Sequence, residues 1–549
     1  MRALAGICLE KPLRARRRGT SGCVCAGAVW TDVRPGRSGP LVSHACLLIK
    51  CRSFEVCVGF LPSCWKQALT GRGLASLALV GAALAVPDGA EAGGLYLMPR
   101  GAEAASRAGA RVASSDDPQA LWYNPAGLVG SRRQILGDFV LPLLRSDFRR
   151  VLDNGQMEPT VSSSSAIPIP TLAYSDNFGL KDWGFGIGLL VPPGAGGDWP
   201  DKVNGQPAPQ RYSILNANGS AIATLALGAA YTPLPGLSLG ATLYVTTATV
   251  AGDVAISACD YAFCSQPEAP EWEGLSRFRL GPVVTASGAL GATYAFKRAR
   301  LGASVQLPTK IAGDADFDVT LPDQFVFDDV KLQNAKGGSD LKARIALKMP
   351  AIARLGVAFT PLPKLNAEAT GTWETWSSQS DITVRPLGVT ANNVPGIGTV
   401  RADAVTLARH MRDTWSVALG GTYDLSDLRP DQRSLTVNGG LMYESSAFAK
   451  RDLSPTTIDT QKLLIGLGAS VEVYERLFLD VTYGHIFMRN QNVTNSRVLL
   501  PAAIRPLPVD TDPSTYAVGD RPAIGNGRYR TEADYVGLGL RYKLADYKR

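Results

Sequence analysis

The 549-residue chain is predicted to be all-β: a transmembrane antiparallel β-barrel of about 14 strands. Three observations lead there. From residue 133 on, segments of about ten residues alternate apolar and polar, which sends one set of side chains to each face of a strand. The connections between these segments alternate short and long, as in a barrel with tight turns at one rim and long loops at the other. The composition, 57 Gly against three His with 45% hydrophobic and 19% charged residues, excludes a disordered chain and favours many strands joined by turns.

The longest apolar run, 74–86, is shorter than the roughly 20 residues a helix needs to span a bilayer. Lys66 and Arg72 precede it and Ala90-Glu91-Ala92 follows it. That is the basic, apolar, small-x-small order of a secretory signal, so residues 65–92 read as a signal peptide cleaved between Ala92 and Gly93. Residues 1–64 hold seven of the nine cysteines, Cys8, Cys23, Cys25, Cys46, Cys51, Cys57 and Cys64, without periodicity. They read as a non-native extension from a mis-assigned start. The next methionine after Met1 is Met98, so a true start would use a non-Met codon, for example at Val56, Val58 or Leu61. The alternatives are a transit peptide built on the basic stretch 14–18, or a zinc module, for which the paired CxxC knuckles are missing. Residues 1–92 carry 12 Lys and Arg against 5 Asp and Glu, which accounts for most of the net charge of +8. The basic balance therefore gives no reason to expect nucleic acid.

Residues 93–131 are rich in Gly, Ala and Ser, with an acidic pair at Asp116-Asp117 and a turn at Asn124-Pro125. This segment is not strand-like, and residues 132–549 are the barrel. Strands are expected at 133–146, 168–177, 183–192, 219–232, 236–252, 281–297, 299–311, 351–361, 365–377, 414–424, 433–444, 462–474, 476–488 and 532–544. Short connections such as 178–182, 233–235 and 362–364 follow even strands; long ones such as 193–218, 378–413 and 489–531 follow odd strands. Residues 336–349 are assigned to a loop or a short strand. Alternation alone would also suit a soluble sandwich; the rim asymmetry, and the need to pair every backbone group in hydrocarbon, select the closed barrel.

Face assignment follows from parity. Trp415, Val417, Leu419 and Tyr423 point outward, as do Leu479, Val481 and Tyr483, and Thr482 points inward, where a charge should be tolerated better than at Leu479. Tyr423, Tyr443, Tyr474 and Tyr542 suit interfacial girdles. Glu368, Glu374, Asp480 and Arg541 face inward and could bear on a ligand, although a polar lumen is ordinary for a barrel. Catalytic signals are poor. Gly236-Leu237-Ser238-Leu239-Gly240 satisfies GxSxG but opens a strand instead of turning from strand to helix, and only His410 and His485 follow the signal. No enzyme activity, cofactor or metal is expected. Cys259 and Cys264, in a polar loop of an exported chain, are candidates for a small disulfide.

The Ala/Gly-rich opening, Asp116-Asp117, and Asn124-Pro125-Ala126 just before the first strand together resemble the hatch of the FadL/TodX family of outer-membrane long-chain fatty acid and hydrocarbon transporters. Asn124, Pro125 and Ala126 match that family's NPA motif. Trp183-Gly-Phe-Gly-Ile-Gly with its Val191-Pro192-Pro193-Gly194 exit, Thr375-Trp376-Ser377, and Tyr443-Glu444-Ser445-Ser446 with Ser454-Pro455 and Ile458-Asp459 extend the likeness through the barrel; the loops do not match. Gly537, Leu540 and Tyr542 resemble the C-terminal signal read by the barrel-insertion machinery, but seven residues follow Tyr542. The resemblance implies that residues 93–131 form an N-terminal hatch, or plug, inside a monomeric barrel in the bacterial outer membrane, in contact with its lipid and exported by a signal peptide. It also implies passive uptake of hydrophobic small molecules, long-chain fatty acids first. A general aqueous porin and, less favoured, a barrel enzyme such as a lipase are the alternatives. A kinked third strand that opens the wall sideways is implied as well, with Pro192, Pro193, Gly194, Gly196 and Gly197 as candidates for its irregular backbone or for a plain external loop.

Overall fold

The computed structural model describes residues 46–51, 54–59, 96–192, 199–216, 219–257, 268–322, 329–379, 382–394, 398–402, 404–407, 409–501, 504–508 and 522–547. The chain forms two units, 1–80 and 81–549. In the first, Cys46–Cys51 and Phe54–Gly59 pair as a short antiparallel hairpin. The expected signal peptide and its cleavage pair Ala92-Gly93 lie outside the described residues, as do Cys259, Cys264, Pro193, Gly194, Gly196 and Gly197.

The second unit is a closed antiparallel barrel of 14 strands. They are β1 (Gln134–Val151), β2 (Met157–Ala166 and Ile169–Asp176), β3 (Trp183–Leu190), β4 (Ala221–Leu234), β5 (Leu237–Ser257), β6 (Glu273–Ala295) and β7 (Ala299–Gln306 and Thr309–Thr320). There follow β8 (Lys342–Met349 and Ile352–Leu362), β9 (Leu365–Glu374, continued by Ile382–Pro386), β10 (Val405–Leu407 and Thr414–Asp424), β11 (Leu435–Glu444), β12 (Lys462–Tyr474), β13 (Leu477–Met488) and β14 (Gly527–Lys543). The last strand closes on the first over the whole length from Gly527↔Arg150 to Lys543↔Gln134, so the barrel has no open edge at that seam. The breaks in β2, β7 and β8 fall at Pro168, Pro308 and Pro350, where the missing N–H interrupts the ladder.

All the expected strands are present, and each connection after an even strand is short. The outer halves of several strands are longer than expected. β1 runs on to Val151 and returns as Met157–Ala166, β6 begins at Glu273, β7 continues to Thr320, and Lys342–Met349 is the outer half of β8. The physical reason is an inversion of polarity. In the hydrocarbon band apolar side chains point outward, and Leu290, Val305, Leu355, Val417, Leu419 and Leu467 are all exposed. Farther out, the apolar side chains point in: Phe278, Phe317, Ala343, Ile345 and Leu347 join one buried core inside the outer barrel. Outside at that level run charge pairs across strands, Arg344 with Asp314 and Lys342 with Asp316, each at 2.5 Å.

Aromatic residues bound the band. Trp183 stacks beside Phe185 and Tyr231 near the short-turn rim, while Trp415 packs against Tyr443 near the other. Trp415 and Tyr423 lie eight residues apart on β10, about 27 Å along a strand at ~3.4 Å per residue. This spacing suits a tilted strand crossing an apolar band of about 25 Å. No helix among the described residues is long and apolar enough to cross a membrane.

Candidate functional site

The segment from Tyr96 to Ser131 sits inside the barrel. Its small residues form only short pieces of helix: α1 (Ala102–Ser106), α2 (Ala120–Tyr123), a 3-10 turn (Pro125–Gly127) and α3 (Leu128–Ser131). Asn124 organises the middle of it. Its Oδ1 accepts the Ala126 N–H at 3.2 Å, capping the turn that Pro125 begins, while its Nδ2 donates to the Val112 carbonyl at 2.9 Å and to Ala292 on β6 at 3.1 Å. One side chain thus joins two parts of the hatch to the wall.

Close approach to the wall is made possible by inward-facing glycines at one level. In register, Gly240 pairs with Gly291, Gly302 with Gly356, and Gly420, Gly440, Gly466 and Gly484 follow one another across four strands. A methyl group at Gly302 would stand 2.6 Å from the Val112 carbonyl oxygen, and one at Gly420 2.5 Å from that of Arg107. At Gly240 and Gly440 it would overlap the hatch backbone itself. The wall also supplies donors to hatch carbonyls. Tyr244 donates to Leu121 at 2.6 Å, Ser304 to Tyr123 at 2.7 Å, Tyr535 to Ala105 at 3.1 Å and Thr482 to Ala102 at 2.5 Å. Irregular backbone can persist at membrane depth because it is buried in protein that satisfies it. Thr482, expected to face the lumen, does face inward and is committed to this contact.

Several charges inside the barrel form a paired network. Arg111, with its side chain 1% exposed, contacts Glu103 at 2.8 Å and Asp117 at 3.1 Å; Asp116 lies 3.7 Å away with its side chain half exposed. Burial pushes the Glu103 carboxyl up, and Arg111, Arg541 and Arg107 more than offset that, leaving it at about 2. Burial acts against the Arg111 charge too, but Asp117 and Glu103 raise its pKa above the usual arginine value. Arg541 holds Asp480 through two bonds of 2.8 and 2.9 Å and reaches Glu103 at 3.3 Å, so two inward residues picked out by parity belong to the hatch's charge network. Glu368 is bound to the hatch backbone. Glu374 instead accepts from the Trp376 indole at 2.7 Å and lines the lumen.

Above the hatch is a cavity of about 70 Å³ walled by Tyr96, Met98, Trp122, Tyr123 and Met442, with Arg100, Arg354, Glu374 and Glu444 among its polar groups. Arg100 and Arg354 lie 5.3 and 5.8 Å from the Trp122 ring. A smaller space of about 20 Å³ shares Tyr96 and Trp122 and is bordered by Pro192 just beyond β3. The ladder of β3 with both neighbours stops at one residue, Leu190, opposite Thr171 and Thr224. Sequence reasoning missed Tyr96, Arg111, Arg354 and the glycine level; strand parity marks the glycines and Arg354 as inward but not what faces them. The GxSxG match has an ordinary structural setting. Gly236 takes a left-handed φ of 84° in the β4–β5 turn, the Ser238 hydroxyl bonds that of Thr232 at 2.9 Å, and Gly240 faces the hatch.

A closed strand barrel with an apolar outer band and an N-terminal plug defines an outer-membrane transport barrel. Residues 83–520 match the family model described as outer membrane protein transport protein (OMPP1/FadL/TodX), and the chain belongs to that family. It is therefore an outer-membrane channel for hydrophobic compounds, in a family of transporters and not of enzymes. A FadL homologue from Pseudomonas aeruginosa is 17% identical, over 83% of this chain and 100% of that one, with a TM-score of 0.61. The toluene transporter TodX of P. putida is 16% identical over 82% and 100%, TM-score 0.53, and the Ralstonia pickettii toluene transporter TbuX 16% over 81% and 98%, TM-score 0.50. These likenesses establish the fold. None of the curated proteins matches the chain.

Proposed function

We propose that the protein takes up long-chain fatty acids by passive diffusion, with the hatch as the gate. The observation that carries this reading is the luminal cavity of about 70 Å³ on the hatch: an aromatic wall with two arginines beside Trp122, a setting for the headgroup of an acid, with Glu374 and Glu444 farther along the same wall. An apolar solute finds no affinity in a water-filled pore, and a plug bound to the wall all round argues against a general aqueous porin. The NPA residues Asn124, Pro125 and Ala126, with Asp117, serve in this reading to hold the plug. The ligand leaves sideways past the end of β3, where the pairing stops at Leu190 and Pro192 borders the smaller space. Export by residues 65–92, with Gly93 as the first mature residue, belongs to the same proposal.

A neutral aromatic hydrocarbon is the second reading, favoured by the rings of Tyr96, Trp122 and Trp376, with centroids 5.6–5.9 Å apart around Tyr96. Uptake of labelled oleate and labelled toluene by cells producing the protein separates the two. Arg354→Ala should lower oleate uptake by about 10-fold, the worth of one charge-assisted bond, and leave toluene uptake unchanged. Loss of neither, with toluene the better substrate, would replace the acid by the hydrocarbon. In planar bilayers, deleting residues 96–131 or substituting Asn124→Ala should raise ion conductance above a nearly closed wild type. A wild type that already conducts like an open pore, with no response to either change, would leave the aqueous porin.

A further inference from the structure

At the glycine level one strand departs from the pattern. Where β9 crosses it, the residue in register with Gly420 is Glu368, whose side chain is fully buried. Its carboxylate receives three successive backbone N–H groups of the hatch, Val112 at 2.6 Å and Ala113 at 2.8 Å on Oε1 and Ser114 at 3.0 Å on Oε2. The Ser114 hydroxyl adds a bond of 2.5 Å to Oε2, and Thr370 donates to Oε1 at 3.0 Å. Arg107 of the hatch stands 3.8 Å away. Converging backbone N–H groups form a concavity suited to an anion, and a carboxylate with its two oxygens accepts about as many bonds as it is offered here.

We propose that Glu368 is the latch of the hatch: the grip of its carboxylate on the N–H groups of Val112, Ala113 and Ser114 keeps the plug seated, and its release opens the barrel. This rests on the gated-uptake reading above. The chemistry makes the contact all-or-none. While the plug is seated both sides are buried, and a small displacement would leave the three N–H donors unpaired and the carboxylate with little beyond Thr370 of its own strand. Once the segment has withdrawn, luminal water hydrates both sides. Four other wall groups, Tyr244, Ser304, Tyr535 and Thr482, give single neutral hydrogen bonds to hatch carbonyls, and the charged contacts are spread out: Asp138 accepts from Gln119 at 2.7 Å and Ala102 at 3.4 Å, Arg541 reaches Glu103 at 3.3 Å, and Arg300 and Arg354 each donate to one carbonyl. Glu368 concentrates charge-assisted bonds on one short stretch, and these are the stronger kind.

The test is Glu368→Gln in the full-length protein, read as conductance in planar bilayers beside the deletion of 96–131. Glutamine has nearly the same shape but turns an NH2 donor toward backbone donors. Conductance should rise at least about 10-fold, equivalent to ~1.4 kcal/mol at one decade per 1.4 kcal/mol, while the heat-modifiable gel mobility of the folded barrel stays as in wild type. Glu368→Asp, which keeps the charge but is one carbon shorter, should fall between the two. Ser114→Ala should raise conductance severalfold alone and add little to Glu368→Gln, because both break one contact. Should Glu368→Gln fail to assemble, Ser114→Ala alone decides. A severalfold rise supports the latch and a wild-type conductance overturns it. If the deletion conducts and the folded Glu368→Gln protein stays closed, the latch is wrong and the plug stands. If the deletion does not conduct either, the gated-uptake reading fails with it.

Discussion

Replacing Gly302 by alanine would set the hatch against the barrel. Gly302 has no left-handed φ, and in a strand interior alanine is favoured over glycine by about 0.5–1 kcal/mol, so the sheet itself should be unharmed. The added methyl would lie 2.6 Å from the Val112 carbonyl oxygen and 2.7 Å from the Ala113 Cα. Carbon atoms touch at about 3.5 Å, so the hatch backbone would have to retreat by roughly 0.8 Å, in the stretch that Glu368 grips. Overpacking of this kind costs about 1–3 kcal/mol, which shifts the balance between seated and released plug by about 5- to 150-fold at a decade per 1.4 kcal/mol. Gly371 is the control: on β9, a methyl there would meet nothing within 4 Å. Gly302→Ala should raise bilayer conductance and expose the hatch to protease, with the temperature at which the folded band is lost on gels at or above the wild-type value. Gly371→Ala should change neither. Equal behaviour of the two variants, or a Gly302→Ala barrel that melts early with its hatch still protected, would refute the idea that the glycine level exists to seat the plug.

Leu419, midway between Trp415 and Tyr423 and 55% exposed, should face the hydrocarbon, so Leu419→Arg should cost about 2–4 kcal/mol in urea unfolding from vesicles. Leu428→Arg, in the short β10–β11 turn, should cost close to nothing, and similar costs at the two sites would mean that the band is misplaced. Arg111→Ala leaves Glu103 and Asp117 without their shared cation, a loss of about 3–5 kcal/mol for a buried pair. It should release the hatch to protease while the barrel's own melting is unchanged, and full protection of the hatch would show that the ion cluster is dispensable.

The barrel was readable from the chain because each membrane strand has two solvents, lipid outside and the lumen inside. Trp415, Val417, Leu419 and Tyr423 announce their face by spacing alone, and the outward exposure of each agrees. The same rule left 336–349 as a loop or a short strand, and Lys342–Met349 is a strand in which Ala343, Ile345 and Leu347 point inward and Lys342 and Arg344 outward. There the apolar partner is the protein's own core above the bilayer, so the alternation runs in the opposite sense and does not announce a membrane strand.

The site was less legible. The NPA triplet marks a turn, and Asn124 indeed caps one, but its bond to Ala292 joins residues far apart in sequence. Parity places Glu368 inside without naming Val112–Ser114 as its partner, and places Thr482 inside without showing that its hydroxyl is bound to the hatch. Local rules act through the nearest neighbours in the chain, and these were enough to determine the membrane-crossing strands, their faces and the pairing of those joined by tight turns, which must lie side by side. Where the N-terminal segment rests, which glycines make room for it and which charges meet inside the barrel were decided only once the sheet had closed, because closure brings together residues that no local pattern couples.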